Sequence, residues 1–152
     1  MLKAGDQAPG FSLPADSGGK ISLDAFLGKT LVLFFFPKAD TPGCTSEANQ
    51  FRDAKKELDK LGAKVLGVSR DPVEQLQKFR DKYKLNFPLA GDTSHTMLEA
   101  YGVWQEKNLY GQKSMGIVRT TYIINPAGKI RNIFPKVKVE GHAREILDVL
   151  KS

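Results

Sequence analysis

The residue of this sequence best suited to covalent chemistry is its single cysteine, Cys44. Thr41, three residues earlier, is a favoured helix N-cap and Pro42 a favoured first helical residue, so we expect Cys44 in the first turn of a helix. Backbone N–H groups in such a turn lack intrahelical partners, and the helix dipole adds partial positive charge. Both effects stabilise a thiolate, which is the nucleophilic form of cysteine.

Cys44 also fits a purely structural role. It shares the apolar stripe of the predicted helix with Ala48 and Phe51, and free cysteines are often buried as small apolar residues. In a capping box the side chains at the N-cap and N3 positions meet, so a Cys44 thiolate would lie within reach of the Thr41 hydroxyl. Spacing alone leaves the catalytic and the structural interpretation open.

The cysteine and histidine content limits the other kinds of site. One cysteine cannot form an internal disulfide, which is typical of a reducing compartment, and it excludes a Cys-x-x-Cys zinc or dithiol site. The two histidines, His95 and His142, lack the i, i+4 spacing of a metal-binding helix. We interpret His95 as a polar residue at a helix start and His142 as a surface residue of a helix, and we expect no metal site.

Length and composition indicate a globular protein. With 152 residues, of which 41% are hydrophobic and 26% charged, the chain can bury a core, and we expect residues 1–152 to form a single domain. The net charge of +6 does not come from a basic cluster, because Lys55, Lys56 and Lys60 are interleaved with Glu57 and Asp59 as on a solvated helix face. We therefore expect no binding to nucleic acid.

The sequence contains no segment typical of secretion or of membrane insertion. No apolar stretch of signal-peptide length follows the N-terminus, and the longest apolar run, residues 31–36, is far shorter than the roughly 20 residues of a membrane span. We expect a cytoplasmic protein that does not bind membranes.

Two β-favouring runs flank the predicted helix of Cys44. Residues 30–36 and 64–68 are the kind of continuous apolar run that forms strands buried on both faces of a largely parallel sheet. The helix between them is predicted to continue as one element to Leu61, because Leu58 and Leu61 fall on the same stripe as Cys44. Strand, helix and strand form a βαβ unit.

The remaining elements complete an α/β pattern. A second helix is expected to begin with Asp71 as N-cap and Pro72 as first residue. The turn Asn125-Pro-Ala-Gly128 predicts a hairpin between two strands. The other elements are an N-terminal hairpin of residues 11–13 and 21–23, a strand at 87–90, a helix at 94–101, a loop at 107–116, strands at 119–125 and 129–134, and a helix at 140–150. This order predicts a thioredoxin-like fold, with a central mixed β-sheet flanked by helices and an N-terminal β-hairpin extension.

The motif around Cys44 resembles that of a known enzyme family. Pro37-x-x-x-Thr41-x-x-Cys44 matches the active-site pattern of the peroxiredoxins, and residues 35–45 resemble the Q-type, or bacterioferritin-comigratory-protein, branch. The similarity covers nearly the whole chain. It continues in Gly5-Asp-Gln-Ala-Pro9, Phe51-Arg-Asp53, Leu66-Gly-Val-Ser69, Tyr101-Gly-Val-Trp104 and residues 119–129.

The resemblance implies a role for each of five residues. Cys44 becomes the peroxidatic nucleophile, Thr41 the hydroxyl that positions the peroxide, and Pro37 a shield for the pocket. Arg119 becomes the guanidinium beside the thiolate, whereas from its position alone it is a solvated residue at a strand start. Glu47 either pairs with and orients Arg119 or is an ordinary favourable charge in an early helical turn.

One departure from the family pattern determines the expected cycle. Many members of this branch carry a resolving cysteine five residues after the nucleophile or in the next helix, where this chain has Asn49 and residues such as Arg80. The resemblance therefore implies a one-cysteine thiol peroxidase acting on hydrogen peroxide or organic hydroperoxides. The Cys44 sulfenic acid is then reduced by an external thiol, either thioredoxin, glutaredoxin or a low-molecular-weight thiol.

The resemblance implies no metal, flavin or haem cofactor, and we expect a monomer or weak dimer. Trp104 is interpreted as a packing residue. The alternative function is a non-catalytic thioredoxin-fold binding module or chaperone, which would not need Thr41 and Arg119.

Overall fold

A computed structural model describes residues 2–152. Its strands are β1 (Ser12–Pro14), β2 (Lys20–Ser22), β3 (Thr30–Phe35), β4 (Ala63–Ser69), β5 (Leu89–Gly91), β6 (Trp104–Leu109), β7 (Gln112–Ile117), β8 (Thr120–Ile124) and β9 (Ile130–Phe134). Its α-helices are α1 (Pro42–Asp53), α2 (Lys55–Lys60), α3 (Val73–Tyr83), α4 (Thr96–Ala100) and α5 (His142–Lys151). None of the helices in this described part of the chain has the length and apolarity to cross a membrane.

A five-stranded sheet in the order β5-β4-β3-β8-β9 forms the centre of the fold. Strand β3 pairs in parallel with β4 and antiparallel with β8, so the sheet is mixed. Strands β1 and β2 form a separate antiparallel hairpin near the N-terminus. The predicted central mixed sheet and N-terminal hairpin are both confirmed.

The central strand β3 separates two apolar cores. Alternate side chains of a strand point to opposite faces, so Phe34 packs with Phe51 of α1 on one face while Phe35 packs with Tyr101 and Tyr122 on the other. Both faces are covered, which explains the continuous apolar run in this strand. Burial on two sides fixes the end of β3, from which the chain enters the loop leading to Cys44.

Residues 107–116, which the sequence predicts as a loop, belong mostly to a β-hairpin, so that prediction is wrong. Strands β6 and β7 pair antiparallel from Trp104 opposite Ile117 to Leu109 opposite Gln112. The turn between them has positive φ at Tyr110 (54°) and Gly111 (79°), as a two-residue hairpin turn requires. The first three residues of β7, Gln112, Lys113 and Ser114, are polar and exposed, so they give no hydrophobic strand pattern.

The helix that the sequence predicts as one element from Pro42 to Leu61 is divided at Ala54 into α1 and α2. The Arg52 carbonyl accepts a hydrogen bond from Asn86 Nδ2 at 3.1 Å. The Asn86 side chain therefore donates to a carbonyl that, in a continuous helix, would accept a hydrogen bond from the N–H group of the next turn. This long-range contact has no signal in the local periodicity.

Two polar residues, Asp71 and His142, do not lie where the sequence predicts them. Asp71 was expected to cap a helix, but α3 begins at Val73 and the Asp71 carboxylate accepts hydrogen bonds from Ala39 N–H (2.8 Å) and the Ser69 hydroxyl (2.7 Å) instead. His142 was expected at the surface but is only 1% exposed.

The His142 ring can be buried because each of its nitrogens has a hydrogen-bond partner that replaces water. Nε2 lies 2.8 Å from Thr121 Oγ1 and Nδ1 lies 2.9 Å from Glu145 Oε1. Burial lowers the pKa of His142, so the neutral ring is favoured. His95 does occupy the helix-start position before α4, and Trp104 packs against it with ring centroids 3.9 Å apart, as its packing interpretation predicts.

We predict that Gly91→Ala destabilises the protein by about 3 kcal/mol or more, because the new Cβ would lie inside contact distance of the Asp71 backbone oxygen. A backbone atom cannot rotate away as a side chain can. Gly10→Ala is the control, since nothing lies within 4 Å of a Cβ at that position. Urea unfolding of both variants tests this, and equal stabilities would contradict the close packing of β5 on the Asp71 loop.

Candidate active site

Cys44 occupies the third residue of α1, as the spacing of Thr41 and Pro42 predicts. Thr41 has the extended backbone of an N-cap (φ −95°, ψ 156°), and its carbonyl accepts a hydrogen bond from Thr45 N–H at 2.8 Å. The Cys44 side chain lies within the apolar cluster that contains Phe51, and the residue is 1% exposed. The helix dipole therefore acts on a sulfur atom that is shielded from solvent.

The Thr41 side chain does not cap α1. Its hydroxyl donates to the Lys38 carbonyl at 2.7 Å, and it makes no hydrogen bond to the backbone of the first turn. The donated proton fixes the rotation of the hydroxyl, so its oxygen lone pairs remain free to accept a further hydrogen bond. The backbone N–H groups of the first turn, which lack intrahelical partners, are likewise available to donate hydrogen bonds to a ligand beside Cys44.

Arg119 joins Cys44 to a second charged residue. Its Nη2 donates to Cys44 Sγ at 3.4 Å, and its Nη1 donates to Glu47 Oε1 at 2.7 Å. A Cβ at position 43 would lie only 3.1 Å from Arg119 Nη2, so Gly43 leaves the space that the guanidinium fills. The structure thus brings together three of the residues that the sequence singled out.

The start of β8 holds Arg119 in this position. Phe35 at the end of β3 pairs with Thr120, the residue after Arg119. Strands β3 and β8 therefore bring Arg119 to the end of the sheet at which the chain enters α1. The Arg119 carbonyl accepts a hydrogen bond from Val137 N–H at 2.9 Å. Its side chain is 16% exposed, which leaves little freedom to move away from the thiol.

Glu47 is buried one turn after Cys44, with its side chain 1% exposed. Burial raises the pKa of Glu47 to about 7, although attraction and hydrogen bonding by Arg119 oppose the shift. Burial alone would lower the pKa of Arg119, but the negative charges of Glu47 and Cys44 raise it, so the guanidinium stays charged. When Glu47 is protonated, the charge of Arg119 acts mainly on Cys44.

Pro37 lies in the loop between β3 and α1, where it is half-buried. The loop is fixed from the α3 side, because Ala39 N–H bonds to Asp71 and the Asp40 carboxylate accepts from Tyr83 Oη at 2.6 Å and Lys82 Nζ at 2.9 Å. These contacts are with residues distant in sequence. Sequence reasoning missed them because nothing in their local spacing marks them as partners.

Gln50 is another site residue that the sequence did not indicate. Its side chain lies on α1 and donates from Nε2 to the Val139 carbonyl at 2.8 Å, and its Oε1 accepts from Ala143 N–H at 3.3 Å. It therefore ties α1 to the start of α5. Between residues 2 and 152, no three histidine, cysteine, aspartate or glutamate side chains lie together as a metal site would need.

We predict that Glu47→Gln changes how stability depends on pH. The pKa of Glu47 is about 7 in the folded chain, against an ordinary 4.5. The folded state binds this proton more tightly than the unfolded state, so the wild type loses stability as pH rises from 4.5 to about 7. Relative to Glu47→Gln, this loss should reach at most about 3 kcal/mol.

Urea unfolding at pH 4.5 and 7.5 measures this difference. Glu74→Gln is the matched control, because Glu74 lies exposed on α3. Parallel pH profiles for the wild type and Glu47→Gln would show that Glu47 ionises as it does in the unfolded chain.

Comparisons with known proteins agree with the motif around Cys44. A family model described as the AhpC/TSA family matches residues 4–133. The putative peroxiredoxin bcp of Coxiella burnetii is 48% identical over 146 residues, covering 96% of this chain and 97% of the relative. The peroxiredoxin Bcp of Escherichia coli is 44% identical over 150 residues, covering 99% and 96%.

Solved structures extend the agreement to the fold. A structure of the bacterioferritin comigratory protein of Xanthomonas campestris is 41% identical and has a TM-score of 0.89, covering 93% of this chain and 90% of the other. A PrxQ mutant of Xylella fastidiosa is 34% identical with a TM-score of 0.94, covering 99% and 96%. The predicted thioredoxin-like fold is confirmed. The chain belongs to the AhpC/TSA family, in its Q-type or bacterioferritin-comigratory-protein branch of peroxiredoxins.

Proposed function

We propose that this chain reduces hydrogen peroxide or organic hydroperoxides by a one-cysteine cycle at Cys44. It is a thiol peroxidase by family. The observation that carries the assignment to Cys44 is the Arg119 guanidinium 3.4 Å from its sulfur, in the first turn of α1. A non-catalytic binding module has no need of a buried cysteine held against a charged guanidinium.

The oxidative step begins with the Cys44 thiolate. Sγ attacks the distal oxygen of the peroxide, a sulfur–oxygen bond forms and the O–O bond breaks. The leaving oxygen takes a proton from solvent and departs as water or alcohol, so Cys44 becomes a sulfenic acid. Arg119 and the free N–H groups of the first turn stabilise the negative charge as it moves from sulfur to the leaving oxygen.

The other site residues position these groups. The Thr41 oxygen accepts a hydrogen bond from the peroxide, which its contact with the Lys38 carbonyl leaves it free to do. Glu47 orients Arg119 through the 2.7 Å contact. Pro37, half-buried in the same loop, shields the pocket from water.

Reduction requires an external thiol, because the chain has one cysteine. Asn49 accepts a hydrogen bond from Arg52 at 3.2 Å, and Arg80 pairs with the buried Asp16 at 2.9 Å, so both positions expected for a resolving cysteine have other contacts. A reductant thiolate attacks the sulfenic sulfur, the S–O bond breaks and the oxygen leaves as water after taking a proton. A second thiol then releases the mixed disulfide.

Thioredoxin, glutaredoxin and a low-molecular-weight thiol are the reductants that this cycle admits. Each is a reductant of the cytoplasm, where a cysteine without a disulfide partner also stays reduced. A monomer or weak dimer suffices, because the residues assigned to the cycle all come from one chain.

We predict that Cys44→Ser abolishes peroxide consumption with dithiothreitol as reductant while the protein stays folded. The substitution removes the thiolate but keeps a small side chain in the same turn. Ser46→Ala, on the exposed side of α1, is the control and should keep its activity. Peroxide consumption and circular dichroism are measured together, and turnover by folded Cys44→Ser would refute the mechanism.

Peroxide added without a reductant should leave a sulfenic acid at Cys44 that a dimedone probe traps, because the chain offers no internal thiol. Excess peroxide should drive it to sulfinic acid. Intact-protein mass spectrometry distinguishes these products. Complete conversion to a disulfide-linked dimer before the probe reacts would show that resolution is intermolecular.

A further inference from the structure

In the β6–β7 hairpin, the side chain of one lysine lies beside a residue other than the one with which the lysine pairs across the strands. Lys107 pairs with Ser114, but its Cδ, Cε and Nζ lie 3.3, 3.5 and 3.8 Å from the position that a Cβ of Gly116 would take. Gly116 is two residues closer to Arg119 than Ser114 is. The side chain therefore runs diagonally across the hairpin towards the active-site end, and it does so over a residue that has no side chain to block it.

Lys107 has no acidic partner among residues 2–152. No carboxylate of this part of the chain lies within 4.0 Å of its Nζ, whereas Lys113 of the same hairpin lies 3.8 Å from Glu106 Oε1. Lys107 is nevertheless half-buried, while Lys113 is exposed. A partly desolvated ammonium without a counter-ion is free to act on any negative charge that comes near it.

The Lys107 ammonium is close enough to Arg119 and Cys44 for the charges of both to act on it. Burial lowers the pKa of Lys107, the positive charge of Arg119 lowers it further, and the negative charge of Cys44 opposes both. Such interactions are mutual, so the Lys107 ammonium stabilises negative charge at Cys44 as Cys44 stabilises the ammonium. Arg119 shares its charge with Glu47, but Lys107 shares its charge with no carboxylate.

We propose that Lys107 is a second cationic residue of the Cys44 site, and that it makes the site favour anionic reactants. Among small-molecule reductants, it favours thiols that carry a carboxylate near the sulfur. This second part rests on the proposed peroxidase function, whereas the electrostatic effect at Cys44 does not. In the reductive step the anionic thiolate forms its bond to the Cys44 sulfur as the S–O bond breaks, and the oxygen takes a proton and leaves as water.

Alkylation of reduced Cys44 by iodoacetate and by iodoacetamide tests the electrostatic effect directly. The two reagents are similar in size and differ in charge, so the ratio of their rates reports the potential at the sulfur. At pH 7 and low ionic strength, we expect Lys107→Met to lower the iodoacetate-to-iodoacetamide ratio about three- to sevenfold. Lys107→Arg should restore it, and added salt should shrink the difference.

Lys113→Met is the matched control, because it removes a lysine from the same hairpin without removing an unpaired charge. It should leave the ratio unchanged. A structural effect of Lys107→Met would slow both reagents equally and leave the ratio as in wild type. That result, or an equal change in Lys113→Met, would overturn the proposal.

The choice of reductant is tested with three small thiols on peroxide-oxidised protein: 3-mercaptopropionate, 2-mercaptoethanol and cysteamine. Comparing Lys107→Met with wild type for each thiol cancels its intrinsic reactivity. We expect the largest loss of rate with mercaptopropionate and the smallest with cysteamine. Equal losses would refute the preference for carboxylate-bearing thiols. If peroxide does not oxidise Cys44, the peroxidase function itself fails, and the alkylation ratios still decide whether Lys107 acts on Cys44.

Discussion

The guanidinium of Arg119, shared between Cys44 Sγ and Glu47 Oε1, is the interaction on which the site depends. It places one cation between two groups that can be anionic, and both of those groups are buried. Removing the cation would leave negative charge without compensation in an apolar cluster. The raised pKa of Glu47 eases this conflict, because near neutrality Glu47 can hold a proton and leave the charge of Arg119 to act on Cys44.

The backbone is built so that this contact forms between residues 75 positions apart. Phe35 and Thr120 pair at the end of the sheet where β3 ends and β8 begins. This pairing fixes Arg119 relative to the loop that leads into α1. Asp71 then holds that loop through Ala39 N–H at 2.8 Å. The sheet therefore positions the guanidinium, and a side chain beyond β4 positions the loop that carries the nucleophile.

Local chemistry predicts part of this arrangement, and long-range contacts determine the rest. Thr41 and Pro42 mark the helix start, so the place of Cys44 in the first turn follows from spacing alone. Arg119 could be assigned only from the family resemblance, because an arginine before a strand has no local feature that distinguishes it from a solvated one. The exposed β6–β7 hairpin and the buried His142 were mispredicted for a related reason: polar residues lack a hydrophobic pattern, and their partners lie elsewhere in the chain.

Reduction of oxidised Cys44 by an external thiol requires access to its sulfur, and Cys44 is only 1% exposed. The later turns of α1 are anchored, since Gln50 bonds to the Val139 carbonyl and Arg52 bonds to the Tyr83 carbonyl at 2.7 Å. The first turn has no side-chain cap, and Cys44 within it is held through Arg119 Nη2 at 3.4 Å. A protein reductant needs a larger opening there than a small thiol does. The size of the reductant therefore decides how much of the cover over Cys44 must be displaced before its sulfur can be reached.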